Sequence, residues 1–374
     1  MDVANELLDA IEIIVDKKVR ENTAQIYPGI CKSVSGSSCV MSINGKDNTI
    51  QFYGSIPTVG VNYRVFVPDG NMSMAFAITG NDDRKGLHYS NPNLLDNWYF
   101  GNPVNQRGKT EYTAAGYTID RWKALSSSMS VSVTDEGIVL KDTNGGGVPY
   151  IIFDQKSELQ QSAALVGKQV TFSVLVKSIT GALCLQNGSN KLDIKAAGLH
   201  TFTVNSYVGN SEYLIRIYNL SANTEAVIIA AKVELGSQQT LAHQDADGNW
   251  VLNEIPDYGE QLARCQRYFV NFNPNKVNWF AMPPAVASNT TDAYSAVTLP
   301  VAMRAQPTVS YGGKIALSQT DDVQVTGIQV SGSTFAGNYL QLKYSVADGL
   351  TANSTYRVQG YNDPTSYIWL SADL

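Results

Sequence analysis

From Gln25 onward the apolar residues of this chain recur with a period of two, and turn signals interrupt them every few residues. Between Gln25 and Gly80 the interruptions are SGSS, NGKD, PTVG and PDGN, which are typical of tight turns between short strands. Five strands fit into this segment of about sixty residues, the size of a small barrel of the OB or SH3 type. We therefore expect a small β-barrel over residues 24–85, followed by a polar linker.

A longer series of strands is predicted over residues 93–242. Alternation and β-branched residues place these strands at 129–140, 148–153, 168–178, 182–186, 199–204, 212–218 and 225–235. No helical period separates them, so the sequence predicts a central antiparallel β-sandwich. The last strand, AVIIAAKVEL, is apolar almost throughout and should lie in the middle of a sheet, buried on both faces.

The last third of the chain is again rich in short strands and turns. Residues 243–264 are predicted to be a connector that ends in a short helix, with Asp257 as its N-cap and Glu260 three residues later. Residues 265–374 form a carboxyl-terminal β-domain, and the aromatic tail YRVQGYNDPTSYIWLSADL should lie within a sheet. The fold class is therefore mainly β.

Residues 2–21 carry the only strongly helical pattern. Ala4, Leu7, Ile11 and Ile14 follow a 3-4-3 spacing on one face, and acidic residues occupy the other. This spacing fits the seam of a short coiled coil, and it equally fits a helix that packs on its own domain. We assign residues 1–23 to an N-terminal helix for attachment or oligomerisation.

Charge and motifs argue against several classes of function. The net charge of −6 is unfavourable for nucleic-acid binding, and no run of ~18 apolar residues predicts a membrane span. The GKT at 108–110 is not a phosphate-binding loop, because Pro103 occupies the position of its first glycine. DADGNW at 245–250 is predicted to be a turn and not a calcium loop. We expect no metal, no cofactor and no enzymatic activity, with glycoside hydrolysis by a carboxylate pair as the remaining alternative.

The most specific stretch of the sequence runs from Asn93 to Trp122, which we call the signature segment. Its parts are LLDNWYF at 94–100, NPVNQRG at 102–108 and GYTIDRW at 116–122. These phrases resemble the opening of a module found in tail-fibre and receptor-binding proteins of bacteriophages and phage-tail-like particles. YGEQLARCQRYF at 258–269 and LPVAMRAQPTV at 299–309 are similar to phrases of the receptor-contacting tip of such fibres.

The resemblance implies a fold and a function. It implies a jelly-roll sandwich like that of carbohydrate-binding modules, a strand that ends in Glu234-Leu235-Gly236, and a carboxyl-terminal head that binds host cell-surface polysaccharide. The protein would be made in the bacterial cytoplasm, become part of the virion tail and act outside the cell. Its N-terminal region would contact other tail or baseplate proteins. A homotrimer suits such a fibre, because three weak sites together gain ~10²–10⁴ in avidity.

Two alternatives to this function stay open. One is a glycosidase of the tail that depolymerises polysaccharide, and the other is a structural baseplate or fibre linker without receptor contact.

We interpret the signature segment as structural, with six key residues: Trp98, Asn105, Arg107, Asp120, Arg121 and Trp122. The two tryptophans should lie in the sandwich core. Side-chain amides and the guanidinium of Arg107 should hold a tight loop. Asp120 and Arg121 should pair locally.

Sugar recognition requires aromatic faces beside amide or carboxylate groups. The carboxyl-terminal domain supplies seven candidate rings: Trp279, Phe280, Tyr294, Tyr311, Tyr361, Tyr367 and Trp369. Most of these rings are expected in the core of a small domain. Trp279 is the best candidate for an exposed ring, because NPNKVNWF surrounds it with polar residues. The predicted carbohydrate-binding residues are Asn278, Trp279 and Tyr294.

Overall fold

A computed structural model describes residues 25–54, 56–79, 90–145, 149–209, 212–332 and 335–374. The mainly β fold class is confirmed. The N-terminal helix predicted over residues 1–23 lies outside the described residues. The chain divides into two compact units, Met1–His88 and Tyr89–Leu374. In the parts of the chain that the structure describes, no helix has the length and apolar character to cross a membrane.

Five strands in the first unit form a closed barrel, in the segment where the sequence predicts one. They are β1 (Gln25–Ser35), β2 (Ser38–Ile43), β3 (Lys46–Gly54), β4 (Asn62–Val67) and β5 (Phe76–Thr79). The order is β1-β2-β3-β5-β4, β1 closes the barrel on β4, and β3 pairs with β5 in parallel. Alternate residues of the strands fill the interior, where Cys31 and Cys39 are buried free thiols.

Two six-stranded antiparallel sheets occupy the first part of the second unit. Their strands are β6 (Glu111–Tyr112), β7 (Gly116–Tyr117), β8 (Trp122–Ala124), β9 (Met129–Thr134), β10 (Gly137–Asp142), β11 (Ile152–Gln155), β12 (Val170–Thr180), β13 (Leu183–Asn187), β14 (Asn190–Ile194), β15 (Gly198–Val204), β16 (Ile215–Asn219) and β17 (Glu225–Leu235). One sheet has the order β15-β12-β17-β10-β9-β6, and the other has the order β14-β13-β16-β11-β8-β7. Both sheets contribute apolar side chains to one hydrophobic core.

Three details of this region bear on the sequence prediction. Strand β17 lies between β12 and β10, and Ala230–Glu234 are buried on both faces, as predicted. The single strand predicted at 129–140 is wrong, because a turn at Asp135 and Glu136 divides it into β9 and β10. A helix, α1 (Leu159–Leu165), also occurs where no helix was expected, because a segment this short has no recognisable helical period.

The connector contains a hairpin and a helix. Strands β18 (Ala242–Gln244) and β19 (Trp250–Leu252) enclose the DADGNW turn, in which the Asp245 carboxylate accepts the backbone N–H groups of Asp247 and Asn249. Helix α2 (Tyr258–Gln266) begins after Asp257, whose side chain accepts the N–H of Glu260 at 2.8 Å. The predicted N-cap is therefore confirmed.

The remaining strands form a six-stranded barrel and a three-stranded sheet. They are β20 (Phe269–Asn271), β21 (Ala281–Ala287), β22 (Asp292–Thr298), β23 (Thr308–Gly312), β24 (Ile315–Ser318), β25 (Asp322–Val330), β26 (Tyr339–Val346), β27 (Thr355–Gly360) and β28 (Tyr367–Ser371). The barrel has the order β21-β22-β26-β25-β24-β27, and the sheet has the order β20-β28-β23. The aromatic tail therefore lies within a sheet, as predicted, and it supplies the central strand.

Strand β28 presents different residues to its two faces. Ile368 and Leu370 are fully buried and join the core of the six-stranded barrel. Tyr367 and Trp369 alternate with them and are only partly buried, because side chains of a strand point to opposite faces in turn. One face of the three-stranded sheet therefore covers the barrel, and its outer face carries the two rings.

Candidate functional site: a cleft beside the signature loop

The aromatic residues of the signature segment lie in the sandwich core, as predicted. Trp98 is 3% exposed, and Phe100 and Trp122 are fully buried. The Trp122 ring stacks on Phe153 with centroids 4.8 Å apart, and Phe100 meets its edge at 5.2 Å. The indole Nε1 of Trp122 donates to the carbonyl of Asn97 at 2.9 Å, so its polar group is satisfied inside the core.

Side-chain amides hold the loop at residues 102–108, which we call the signature loop. Asn97 donates from Nδ2 to the carbonyls of Val104 and Asp120, and its Oδ1 accepts the N–H of Val104 at 2.7 Å. Asn105 accepts the N–H of Gly108 and donates to the carbonyl of Lys109 at 2.8 Å. The amides thus replace regular backbone pairing and fix the shape of the loop.

Arg107 extends from this loop to the carboxyl-terminal sheet. Its guanidinium pairs with Asp120 at 3.0 Å and with Asp373 at 2.6 Å. The same group lies over the Phe269 ring, 3.9 Å from the centroid. The neighbouring Gln106 donates from Nε2 to Asp120 at 2.8 Å and to the carbonyl of Phe269 at 2.7 Å. The signature loop therefore joins the sandwich to β20 and to Asp373, the second residue after β28.

The local pair predicted between Asp120 and Arg121 is wrong. Arg121 has a positive φ of 71°, and its guanidinium pairs with Asp96 at 3.0 Å and lies 3.5 Å over the Tyr268 ring. Asp96 also binds Arg264 of α2 at 2.8 Å. Consecutive side chains at this turn therefore diverge, and each forms part of a separate contact with the carboxyl-terminal region.

The carboxylates of the Arg107 network are in a strongly buried environment. Burial raises the pKa of Asp120 to about 7, although Arg107 and Gln106 favour its charged form. Burial likewise raises the pKa of Asp373, and Arg107 and Ser371 oppose that rise. The network contains one guanidinium and two carboxylates, so the positive charge of Arg107 is already compensated.

A cleft of about 360 Å³ lies where the signature loop meets the outer face of the three-stranded sheet. Its volume is at the lower end of small-molecule sites, which span ~300–1,000 Å³. The lining consists of Arg107, Lys109, Asn271, Asn273, Lys276, Pro364, Thr365, Ser366, Tyr367 and Trp369. Aromatic rings, amides and cationic groups thus converge on one concave surface.

The two rings of the cleft are held in place by their neighbours. Tyr367 and Trp369 lie with centroids 4.2 Å apart, and Phe269 meets Trp369 edge-on at 5.5 Å. Gly312 is opposite Tyr367 on β23, and a Cβ at that position would lie 2.6 Å from the tyrosine ring. The glycine therefore allows the ring to lie flat against the sheet.

The amides of the cleft are also oriented by the fold. Asn271 donates to the carbonyl of Gln106 at 2.7 Å, and its Oδ1 accepts the N–H of Asn273 at 2.8 Å. Asn273 donates to the carbonyls of Val277 and Ser366. The Oδ1 of Asn273 accepts the N–H of Val277 at 2.9 Å, and Asn273 is 3% exposed, so this amide holds the loop. Asn271 is partly exposed, and the second lone pair of its Oδ1 can accept a hydrogen bond from a ligand hydroxyl.

The structure places the predicted sugar-binding residues outside this cleft lining. Trp279 is 53% exposed, as expected, and its ring meets Tyr361 edge-on at 5.0 Å. The carbonyl of Asn278 accepts the N–H of Asp363. Tyr294 lies on β22 opposite Val286, near the far end of β21. Since Trp279 precedes β21, roughly 20 Å of strand at ~3.3 Å per residue separates it from Tyr294.

Tyr367 and Trp369 are among the seven candidate rings, but the sequence pattern favours Trp279 and Tyr294 as the binding rings. The alternation Tyr-Ile-Trp-Leu at 367–370 was the available signal, because it places both rings on one face of a strand. Asn271 gives no local signal, because its amide is oriented by a loop more than 160 positions earlier, and Asn273 depends in part on Ser366, 93 positions later. Among the residues that the structure describes, no cluster of three potential metal ligands occurs.

Comparisons with known proteins add little. No protein-family model matches the chain, and no curated protein matches it. The binding domain of botulinum neurotoxin DC, solved with rat synaptotagmin II, is similar at 9% identity over 67% of this chain and 90% of that chain, with a TM-score of 0.17. The serotype D/C VPI 5993 binding domain is similar at 10% identity over 72% and 100%, also with a TM-score of 0.17. Likenesses at this level carry no argument about fold or function.

Proposed function

We propose that the chain is a tail-fibre or receptor-binding subunit of a bacteriophage or phage-tail-like particle, which attaches the particle to glycans on the host cell surface. The observation that carries this proposal is the cleft in which Tyr367 and Trp369 lie beside Asn271 and Asn273. Ring faces that pack on sugar C–H groups, next to amides that bind hydroxyls, are the chemistry that saccharide recognition requires. The resemblance of the signature segment to such fibres supports the same function.

The rest of the proposal concerns architecture and assembly. The first barrel would be of the OB type, which its closed order of five strands supports. The sandwich would be a jelly-roll module like those that bind carbohydrate, and residues 265–374 would be the receptor-binding head. The subunit would form a homotrimer in the virion tail and contact other tail or baseplate proteins through residues 1–23. It would be synthesised in the bacterial cytoplasm and act outside the cell.

The proposed binding is non-enzymatic. Glycoside hydrolysis generally uses two carboxyl groups on either side of the scissile bond. None of the described residues that line the cleft is Asp or Glu. The lining therefore favours retention of a saccharide over its cleavage.

A second candidate function is that of a structural linker. The observation that favours it is the junction of Arg107 with Asp120 and Asp373, because a firm joint between sandwich and head is what a spacer needs. A linker would carry the same junction without any receptor in the cleft.

The two candidates are separated by cell binding. The full chain, fluorescently labelled, is incubated with a panel of bacterial strains before and after periodate oxidation of their surface sugars. We expect binding to at least one strain, loss of that binding after oxidation, and a drop of about tenfold for Tyr367→Ala, which corresponds to ~1.4 kcal/mol. Trp279→Ala is the matched aromatic control, and thermal melting checks that both variants are folded.

Three other results would contradict the proposal. Absence of binding to every strain that the parent particle infects would support the linker. Binding that survives oxidation would indicate a receptor that is not a glycan. Release of new reducing sugar ends during incubation would indicate a depolymerising enzyme.

A further inference from the structure

The cleft has an electrostatic character opposite to that of the chain. Three of its ten lining residues, Arg107, Lys109 and Lys276, are cationic, and none of these ten is acidic. The whole chain has a net charge of −6. A concave surface with a local excess of one sign concentrates ligands of the opposite sign.

The excess charge comes from the two lysines. The charge of Arg107 is compensated by Asp120 and Asp373, so this residue adds little positive charge to the cleft. The Nζ of Lys276 donates to the carbonyl of Gly108 at 2.7 Å, which uses one of its three protons. Among the described residues, no ion pair or hydrogen bond involves the ammonium group of Lys109. Two ammonium groups therefore remain available at the rim of the cleft.

The carboxylate on the loop beside the cleft is directed elsewhere. Asp363 precedes the lining residues Pro364 and Thr365. Its Oδ1 accepts from the N–H and hydroxyl of Thr365 at 2.9 and 2.6 Å, and its Oδ2 accepts the N–H of Lys314 at 3.2 Å. Both oxygens therefore serve the local loop, and this carboxylate pairs with neither lysine of the rim.

We infer that the cleft binds an anionic saccharide, in which a sugar ring carries a carboxylate or phosphate group. The sugar ring would pack on Tyr367 and Trp369, a hydroxyl would bind Asn271, and the anionic group would lie between Lys109 and Lys276. Lysine binds anions as a mobile point charge, so either a carboxylate or a phosphate suits this rim. This inference rests on the proposed glycan-binding function and specifies its ligand class. The cleft volume of about 360 Å³ suits a short saccharide unit and not a long buried chain.

The inference is tested with three matched probes: glucose, glucuronate and glucose 1-phosphate. The full chain is labelled with ¹⁵N at its five tryptophan indoles, and each probe is titrated while the five N–H signals are followed. Trp369→Phe identifies the signal of Trp369. We expect the Trp369 signal to move with glucuronate or glucose 1-phosphate at an affinity at least tenfold above that for glucose. Comparison of the two anionic probes identifies the preferred group.

The lysines are tested by the double variant Lys109→Gln/Lys276→Gln, which keeps side-chain length and removes charge. We expect it to lose the preference for the anionic probes, so that its affinities for glucose, glucuronate and glucose 1-phosphate become similar. Lys141→Gln, on the sandwich sheet, is the matched control and should keep the preference. Raising the salt concentration should weaken binding of the anionic probe by the wild-type chain and have less effect on the double variant.

The outcomes separate this inference from the proposed function. Equal affinity for all three probes, or an anion preference that the double variant retains, overturns the anionic class and leaves glycan binding intact. Binding to host-cell glycans without movement of the Trp369 signal by any probe overturns the assignment to this cleft. Absence of glycan-dependent cell binding overturns the proposed function, and the inference fails with it.

Discussion

Replacement of Arg107 by alanine tests whether the signature loop joins the sandwich to the carboxyl-terminal sheet. The side chain of Arg107 is 9% exposed, and its partners Asp120 and Asp373 are 1% and 7% exposed. Two of its contacts, Asp373 and the ring of Phe269, lie beyond residue 242. The full chain is therefore the appropriate material, because a fragment of residues 93–242 lacks half of the network.

The expected loss of stability follows from burial. Removal of one member of a buried ion pair typically lowers the free energy of unfolding by ~3–5 kcal/mol, because the partner remains buried and unpaired. The pKa of Asp120 is already about 7, so this carboxyl can take up a proton when Arg107 is absent. We therefore expect a value near the lower limit, about 3 kcal/mol. At ~2–4 °C per kcal/mol for units of this size class, Tm should fall by roughly 6–12 °C.

The assay is calorimetric unfolding of the full chain at pH 7.5. Lys141→Ala is the control, because it breaks the exposed pair with Glu225 and should leave Tm unchanged. The triple variant Arg107→Leu/Asp120→Asn/Asp373→Asn removes the unpaired charges and should recover part of the loss. If Arg107→Ala unfolds at the same temperature as Lys141→Ala, the loop does not hold the two parts together.

Three further expectations follow from the same structure. The folded-state pKa of Asp120 is about 7 against an ordinary value of 3.8, so the folded chain binds more protons than the unfolded chain between these pH values. The free energy of unfolding should therefore fall as pH rises through this window. Asp120→Asn should reduce this slope by up to ~1.4 kcal/mol per pH unit, measured by urea unfolding from pH 4.5 to 7.5. Gly137→Ala should lower the free energy of unfolding by more than ~1 kcal/mol in the same assay, because φ is 138° and a Cβ would collide with the carbonyl oxygen of Ile228. The matched change Gly188→Ala lies in an open turn and should have a smaller effect. Trp279→Ala should leave both Tm and cell binding unchanged, since its ring is 53% exposed and does not line the cleft. Loss of cell binding would indicate that Trp279, the ring predicted from the sequence, is part of the binding site.

Local patterns in the sequence predicted the β-structure well. Period-two alternation and turn signals indicated the strands of the first barrel and the burial of β17, because both depend on neighbouring residues. The N-cap at Asp257 was also predicted, because capping involves residues only three positions apart. Helix α1 was missed because seven residues contain two turns, which is too short for a clear period.

The junction could not be predicted for a different reason. Arg107 and Asp373 are 266 positions apart, and no local spacing indicates that they meet. Adjacency in the sequence predicts a pair of Asp120 with Arg121, whereas the fold pairs Asp120 with Arg107, 13 positions away, and Arg121 with Asp96, 25 positions away. The cleft depends on this junction, since the signature loop forms one wall of it. Exposure of Trp279 was predicted correctly from its polar neighbours, but exposure alone does not make a concave site.

Because Arg107 and Asp373 are far apart in the sequence, the ribosome synthesises Arg107 well before its partner Asp373. A ribosome adds ~5–20 residues per second, so residues 93–242 precede Asp373 by roughly ten seconds. During that interval the sandwich can fold, but the carboxyl-terminal residues that cover Arg107 and Asp120 are not yet present. Contacts of such long sequence separation also form slowly. Until then, the surface around Arg107 and Asp120 can meet the carboxyl-terminal residues of a neighbouring chain as well as its own.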